Sequence, residues 1–370
     1  MNIFIDVRLA SYSYQGVKTY IDSILPYLLR EDSNTYFLCG FRDYITKYST
    51  YKNVKIIPFE APINSFKEQI LGFKLKRKLK KIIDVYFFPY PCIPFCFLNE
   101  NFVVKLYDVT PFRFFYFYNP LKVVLGFILT LLIAKRANKI IAVSNATAND
   151  IIKYFRISNK KIIVIYCGVT EEKISFSSAE LQQFKVKYSL NRFVLYVGNR
   201  EKTKNIFRVI EALKLLRRDG IDIDFVIVGR FFEKYKRIDK KILKHGSWIK
   251  IFYDVDKEEL LKFYKTAELY VHAALNEGFG LPVLEAIKCG CVCAVSDIKV
   301  FRELYDNACV FFNPYSIFDI YLSIKKLLYD DNLKEILKKN ALEILNNFSW
   351  EQTAKSLLNI LKKAGRRNEL

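Results

Sequence analysis

Two doubly wound α/β domains, each a parallel sheet with helices on both faces, are what the sequence predicts. Three observations carry that expectation. The chain has 370 residues, where one domain takes roughly 100–200. Short apolar strands alternate with amphipathic helices, the pattern of strands buried on both faces. The alternation stops after Tyr166, crosses a polar stretch and restarts at Phe193, which makes two runs of the same architecture.

In the first run the strands fall at Asn2–Val7, Thr35–Gly40, Lys55–Phe59, Asp84–Phe88, Phe102–Tyr107, Lys139–Val143 and Lys161–Tyr166. Helices are expected at Gly16–Arg30, Ser65–Ile82, Pro120–Ala137 and Ala146–Phe155. The second run places strands at Phe193–Val197, Asp224–Val228, Ile249–Tyr253, Leu269–Ala273, Val292–Val295 and Val310–Phe312. Its helices are Ile206–Leu216, Glu258–Lys265, Pro282–Lys288 and Ile317–Leu328, and the chain is helical again from Phe348. The polar joint lies between Cys167 and Arg192, so the domains are expected at 1–170 and 171–350. Ligands of such sheets bind outside the carboxyl ends of the strands, here in a cleft between the domains.

Composition narrows the function. The formal net charge is +21, and residues 1–170 carry +13 of it. An anionic partner follows: phosphorylated substrates, lipid headgroups or nucleic acid. The apolar run Val123–Ala134 is too short to span a bilayer, which takes about 18 residues. MNIFIDV reads as a first strand, not a signal peptide, so a cytoplasmic location is expected. The eight cysteines show no paired C-x-x-C spacing. Cys289, Cys291 and Cys293 straddle a helix end and a strand, and free buried thiols in a reducing compartment are the expectation. There is no G-x-G-x-x-G after the first strand, no P-loop and no H-E-x-x-H, which weighs against dehydrogenase, P-loop and zinc-hydrolase chemistry. The two histidines are His245 and His272, and a structural role is the favoured one for His272, inside a strand.

Two stretches carry chemistry. In FVLYVGNREKTKN a strand ends at Gly198, and Arg200 and Lys204 follow before a helix. Two cations at a strand end beside a helix N-terminus suit a diphosphate; a solvated basic loop is the competing reading. In NEGFGLPVLEAIKCG, Gly278 and Gly280 allow close backbone approach. The amides near Gly280 and Leu281 can bind oxygens, and Pro282 suits the first helical position. Glu285, expected in the first helical turn, can accept two hydroxyl hydrogen bonds from a sugar diol; stabilising the helix N-terminus is its bland alternative.

Taken together, EGFGLPVLE and VGNREKTKN resemble the retaining glycosyltransferases of family 4, and the resemblance runs along most of the chain. IAVSNATANDIIKYF, KIIVIYCGV, ELYDNACVFFNP and RLASYSYQGVKTYI look like further segments of that family. It implies the GT-B fold of two facing Rossmann-like domains. The first would bind the acceptor and the second the nucleotide-sugar, with the C-terminal helix, about 351–370, packing back onto the first. Gly198 belongs to the donor loop. Glu285 would hold the donor ribose, Glu277 would contact the donor sugar, and Phe279 to Pro282 would present backbone to it. Arg200 and Lys204 would neutralise the departing diphosphate, and Gly16 would lie near donor phosphate and acceptor. No metal or other cofactor is expected, since the D-x-D spacing Asp222–Asp224 runs into a strand. Where the family often has His-Asp, this chain has Tyr107-Asp108. Tyr107 either donates a hydrogen bond in the histidine's place or is a core residue; Asp108 is the candidate for positioning the acceptor hydroxyl.

The NR of VGNR resembles users of GDP-mannose, so a mannosyl donor is preferred over a UDP-sugar. The helix Asn64–Asp84 carries seven cations, and the aromatic stretch Phe112–Arg136 follows. Together they suit an anionic membrane surface and a glycan or lipid-linked acceptor; two helices packed on the sheet with a solvated basic face are the competing reading. A non-catalytic GT-B subunit is the alternative. A nucleic-acid-binding protein is weaker still, because it leaves Glu277 and Glu285 unexplained.

Overall fold

The structure is a computed structural model that describes residues 1–11, 15–169 and 175–365. It divides into two compact units: Met1–Gly168 with the chain from Phe348 onward, and Val169–Asn347.

In the first unit the order is β1 (Asn2–Asp6), α1 (Arg8–Ser11), α2 (Gln15–Leu29), β2 (Thr35–Gly40), α3 (Arg42–Ile45), β3 (Val54–Pro58), α4 (Phe66–Leu79), β4 (Val85–Phe88), β5 (Phe102–Leu106), α5 (Thr110–Arg113), α6 (Pro120–Arg136), β6 (Lys139–Ala142), α7 (Asn145–Phe155) and β7 (Ile162–Val164). The seven strands pair in parallel in the order β3-β2-β1-β4-β5-β6-β7. The second unit has α8 (Ser178–Lys187), β8 (Phe193–Val197), α9 (Ile206–Arg218), β9 (Asp224–Gly229), α10 (Lys236–Leu243), β10 (Ile249–Tyr253), α11 (Lys257–Thr266), β11 (Leu269–His272), α12 (Leu281–Lys288), β12 (Cys293–Ser296), α13 (Lys299–Tyr305), β13 (Cys309–Phe312), α14 (Ile317–Tyr329) and α15 (Asp331–Leu345). Its sheet is also parallel, in the order β10-β9-β8-β11-β12-β13. The last helix, α16 (Trp350–Gly365), belongs to the first unit and packs against α2. Its Ala364 carbonyl accepts from Asn101 Nδ2 at 2.7 Å, and its Thr353 hydroxyl donates to the Tyr166 carbonyl at 2.7 Å. Gly168 lets the chain pass so close that a Cβ there would stand 2.2 Å from the Trp350 nitrogen.

The strands expected from apolar runs are present, because a strand buried on both faces is apolar throughout and stands out in the sequence. β8 is buried at every position. The shorter and more polar helices were not expected. α8 lies within the stretch read as a joint. Its start is a capping box, with Ser177 and Glu180 each bonded to the other's backbone amide, a local signal that its weak amphipathicity hid. α10, which packs on β10 and buries only Asp239 and Ile242, and α15, which packs on α12, α13 and α14 and buries only Leu337 and Ala341, are rich in charge because each touches its neighbours along a narrow stripe.

Each sheet reverses its strand order once, between β1 and β4 and between β8 and β11. That reversal sets two loops side by side at the carboxyl ends of neighbouring strands, where α/β sheets take their ligands.

Candidate functional site

At the reversal point of the second sheet, β8 feeds residues 198–205 and β11 feeds residues 273–280. The strands pair at Leu269–Val194 and Tyr270–Leu195. A hydrogen bond from Leu275 N to Thr203 O, 2.8 Å, ties one loop to the other. Residues some 70 positions apart in sequence therefore share one site.

At its centre is Glu277. Lys204 Nζ contacts Glu277 Oε1, and His272 Nε2 lies 2.8 Å from the same oxygen. The other ring nitrogen of His272, Nδ1, is 2.7 Å from the Tyr270 hydroxyl. That network sets the tautomer: Tyr270 donates to Nδ1 and Nε2–H donates to the carboxylate. Burial alone would push Glu277 up, yet Lys204 and His272 outweigh it and hold the carboxyl down at about 2. Burial pushes His272 below its ordinary value, with Glu277 opposing. The expected structural role of His272 is thus that of a support for Glu277. The sequence signal for it was the spacing of five between a strand-end histidine and a turn glutamate, uninformative without the register.

Arg200 differs from its expected setting as one of two open cations. Its side chain is fully buried, with Nε donating to Asp239 Oδ1 at 2.9 Å, and Nη2 to Asp239 Oδ2 at 3.1 Å and to the Arg230 carbonyl at 2.9 Å. The rings of Tyr235 and Tyr253 lie 5.0 and 5.4 Å from its guanidinium carbon, and Tyr253 also donates to Asp239. A guanidinium beside a planar carboxylate and two aromatic faces is a rigid arrangement. The remaining nitrogen, Nη1, is buried and has no hydrogen-bond partner among the described residues. A Cβ on Gly229 would come within 2.6 Å of it and within 2.4 Å of the Gly198 carbonyl, so glycine at 229 keeps this corner open. A buried unsatisfied N–H costs about 1–3 kcal/mol, and an anionic oxygen would relieve that cost. Asp239 was not foreseen, because it comes from α10, a helix the apolar pattern did not announce.

The helix after the second loop starts one residue earlier than expected, so Pro282 is its second residue and Glu285 its fifth. Glu285 therefore lies beyond the first turn, and stabilisation of the helix N-terminus does not explain it. Burial pushes its carboxyl up to about 7; the Tyr264 hydroxyl, donating at 3.1 Å, only partly opposes this. Gly280 caps α12 with φ 84°, and a Cβ there would strike the Phe301 ring at 2.6 Å. The buried Phe279 and Gly280 carbonyls both face the Tyr305 hydroxyl, at 3.1 and 3.2 Å. Val283 N and Leu284 N close on Gly280 O, and Pro282 has no N–H. The Leu281 amide is left without a partner among the described residues, a donor at the positive end of a helix. Gly278 is buried in the same turn.

In the first unit Gly16 is exposed in the first turn of α2, and a Cβ there would meet nothing among the described residues. The neighbouring residues 12–14 of the expected N-terminal loop lie outside the described part. Asp108 is exposed just beyond β5 and accepts from Thr110 N at 2.7 Å. Tyr107 takes the interior option. Its hydroxyl is buried without a hydrogen-bond partner among the described residues, and its ring meets Tyr20 edge-on at 6.2 Å. Beside them Lys105, fully buried in β5, rests 3.4 Å above the Tyr20 ring and 4.0 Å from Cys167 Sγ.

Among the described residues no cluster of three His, Cys, Asp or Glu has metal-binding geometry. The D-x-D carboxylates are engaged elsewhere, Asp222 with Arg217 and Asp224 with Lys250. The eight cysteines are free thiols, seven of them buried.

Two parallel α/β units with donors gathered at a sheet reversal define the class, a two-domain GT-B protein, and the comparisons supply the family. The description "Glycosyltransferase Family 4" matches residues 14–173, and "Glycosyl transferases group 1" matches residues 177–344. The chain belongs to this glycosyltransferase family. It is 31% identical over 228 residues to the serotype-specific mannosyltransferase WbdA of Escherichia coli, covering 60% of this chain and 28% of that enzyme. It is 28% identical over 231 residues to O-antigen chain mannosyltransferase B of E. coli, 61% of each chain. The chain thus spans less than two thirds of these relatives. Among solved structures, a glycosyltransferase from Rickettsia africae superposes with a TM-score of 0.76 at 18% identity, over 99% of both chains. Anabaena Alr3699/HepE in complex with UDP and glucose gives 0.76 at 15% identity, over 98% of this chain and 100% of that one.

Proposed function

We propose that this chain transfers a hexosyl unit, mannose by preference, from a nucleoside-diphosphate sugar to a glycan or lipid-linked glycan acceptor in surface polysaccharide or lipopolysaccharide assembly, with retention at the anomeric carbon. Supporting the reading is the arrangement at the second sheet's reversal point: a lysine paired with a glutamate and, without partners among the described residues, one nitrogen of a buried guanidinium and a helix N-terminal amide. The names of the mannosyltransferase relatives support the sugar. GDP-mannose is the favoured donor, and a UDP-sugar is the second choice.

The chemistry follows from charge. Breaking the bond between the anomeric carbon and the diphosphate loads negative charge on the leaving phosphate, and preorganised cations stabilise that charge where it develops. Arg200 Nη1 and the Leu281 amide receive phosphate oxygens in this scheme, and Lys204 supplies the nearby positive charge, in place of a metal ion. Glu277, ionised across the neutral range, faces the donor sugar and anchors Lys204. Glu285 accepts from the ribose hydroxyls. Asp108 positions the acceptor hydroxyl, and the enzyme works at the inner face of the cytoplasmic membrane.

Thermal shift with GDP, GDP-mannose and the UDP-sugars tests this, for the native chain and for Lys204→Met and Glu285→Gln. Stabilisation by one nucleotide family, weakened in both variants, is the expected result. The absence of any shift across the panel would overturn the donor site. It would favour a non-catalytic subunit, the reading to which the inward-facing Tyr107 hydroxyl lends weight.

A further inference from the structure

We infer that the outer faces of α4 and α6 form a docking surface for an anionic lipid bilayer. This deepens the membrane-side part of the proposed function and rests on that reading only for its purpose.

α6 is the first observation. Between Pro120 and Ala134 its one charged residue is Lys122. Phe127, Leu131, Ile133 and Ala134 pack into the core under the sheet. The opposite face is equally apolar, with Leu121 76% exposed and Val124, Leu125 and Ile128 each more than half exposed. A helix that is apolar all round belongs in an interior, and none of the described residues covers the outer half. The spacing 121, 124, 125, 128 is one continuous stripe.

α4 repeats the pattern independently. Glu68, Gly72 and Leu79 are turned inward, and Leu71 and Leu75 pack on the same core as α6. Phe66, 82% exposed, and Ile70 and Phe73 form a stripe one and two turns apart on the outside. A buried ion pair, Arg8 Nη1 to Glu68 Oε1 at 2.6 Å, fixes which face of α4 looks out. The 3-10 turn Phe95–Asn99 joins the two helices: Phe95 N donates to Gln69 Oε1 at 2.9 Å, and Arg136 Nη1 donates to Asn99 Oδ1 at 2.5 Å. Phe95 itself is exposed, as are Phe115 and Tyr116 just before α6.

Charge selects the occupant. Residues 69–83 and 109–149 contain no Asp or Glu but 11 Lys and Arg. A second copy of the chain would set these cations against one another across a two-fold interface. Anionic headgroups are complementary instead, each nearby cation adding about 1 kcal/mol, while the apolar side chains enter the headgroup–acyl boundary. Among the described residues no helix is long and apolar enough to cross a membrane, so this contact lies on the surface. Asp108, a few residues before the exposed aromatic turn, brings the acceptor side of the proposed reaction to the lipid.

The test is co-sedimentation of the full chain with vesicles of phosphatidylcholine alone and of phosphatidylcholine with phosphatidylglycerol. The double variant Val124→Asp/Leu125→Asp and the single variant Phe73→Ser are compared with the native chain. Binding to the anionic vesicles at least about tenfold tighter than to neutral ones is expected, falling by about tenfold or more in the double variant and less in Phe73→Ser. Melting temperature and nucleotide response, unchanged in the variants, show that the fold and donor site survive. Equal sedimentation with and without anionic vesicles, or double-variant binding equal to native, overturns the inference. So does a lipid-free dimer that the double variant abolishes, because the face would then belong to a second copy. Vesicle binding by a chain that answers to no nucleotide sustains the docking surface while refuting the donor reading.

Discussion

His272 Nε2 stands 2.8 Å from Glu277 Oε1, the oxygen that also meets Lys204. One strand-end histidine thereby fixes the orientation of the turn carboxylate and shares with the lysine the work of keeping it ionised. Removing the histidine leaves burial less opposed, and burial raises a carboxyl. In His272→Leu the Glu277 carboxyl is expected to titrate at a higher pH than in the native chain, read from the pH dependence of its side-chain carboxyl carbon resonance. A carboxyl that titrates as in the native chain would show that Lys204 alone sets the charge of Glu277.

Arg200 and Asp239 form a buried pair, and removing one partner leaves the other charge uncompensated. Asp239→Ala is expected to destabilise the chain by about 3–5 kcal/mol in urea unfolding. Replacing both residues, as Arg200→Met/Asp239→Leu, should cost less than the single change, because no bare charge then remains. Nucleotide stabilisation should be lost in the double variant. A double variant that still answers to nucleotide would remove Arg200 from the phosphate site.

Glu285 sets a pH dependence with a definite sign. Its folded value, about 7, lies above the ordinary carboxyl value of 4.5, so the folded state holds the proton more tightly than the unfolded one. The resulting contribution is present below about 4.5 and is lost as pH rises to about 7. Native stability from this group should therefore fall across that window and level off above it. Glu285→Gln should flatten the slope and be the more stable protein at pH 8, by at most about 3 kcal/mol. Parallel native and variant curves in urea unfolding between pH 5 and 8 would contradict this.

Lys105 gives the opposite window. Burial lowers its ammonium from 10.5 to about 8, with the Cys167 thiol as the opposing influence. The unfolded chain binds the proton more tightly, so stability should rise between about pH 8 and 10.5. Lys105→Met, filling the same space without charge, should stabilise the chain at pH 7 by about 1–3 kcal/mol and remove that rise. A destabilised Lys105→Met would mean that the contact with the Tyr20 ring outweighs the cost of burying the ammonium.

What the sequence by itself determined is whatever local chemistry writes into consecutive residues. Strands buried on both faces appear as apolar runs, and the restart of the pattern at Phe193 announces a second sheet. The Gly280 turn ahead of α12 and the cations after β8 are equally local. Tertiary structure decided which of these meet. β8 and β11 are neighbours because the sheet reverses its order there, and that alone places Lys204 against Glu277 across some 70 residues. It also decided direction. Glu285 moved out of the first turn with a one-residue change of helix start, Arg200 turned inward to an aspartate on an unforeseen helix, and Tyr107 turned its hydroxyl into the core. Each outcome depends on contacts between distant segments, where burial and charge pairing are settled by packing and leave no periodicity in the chain.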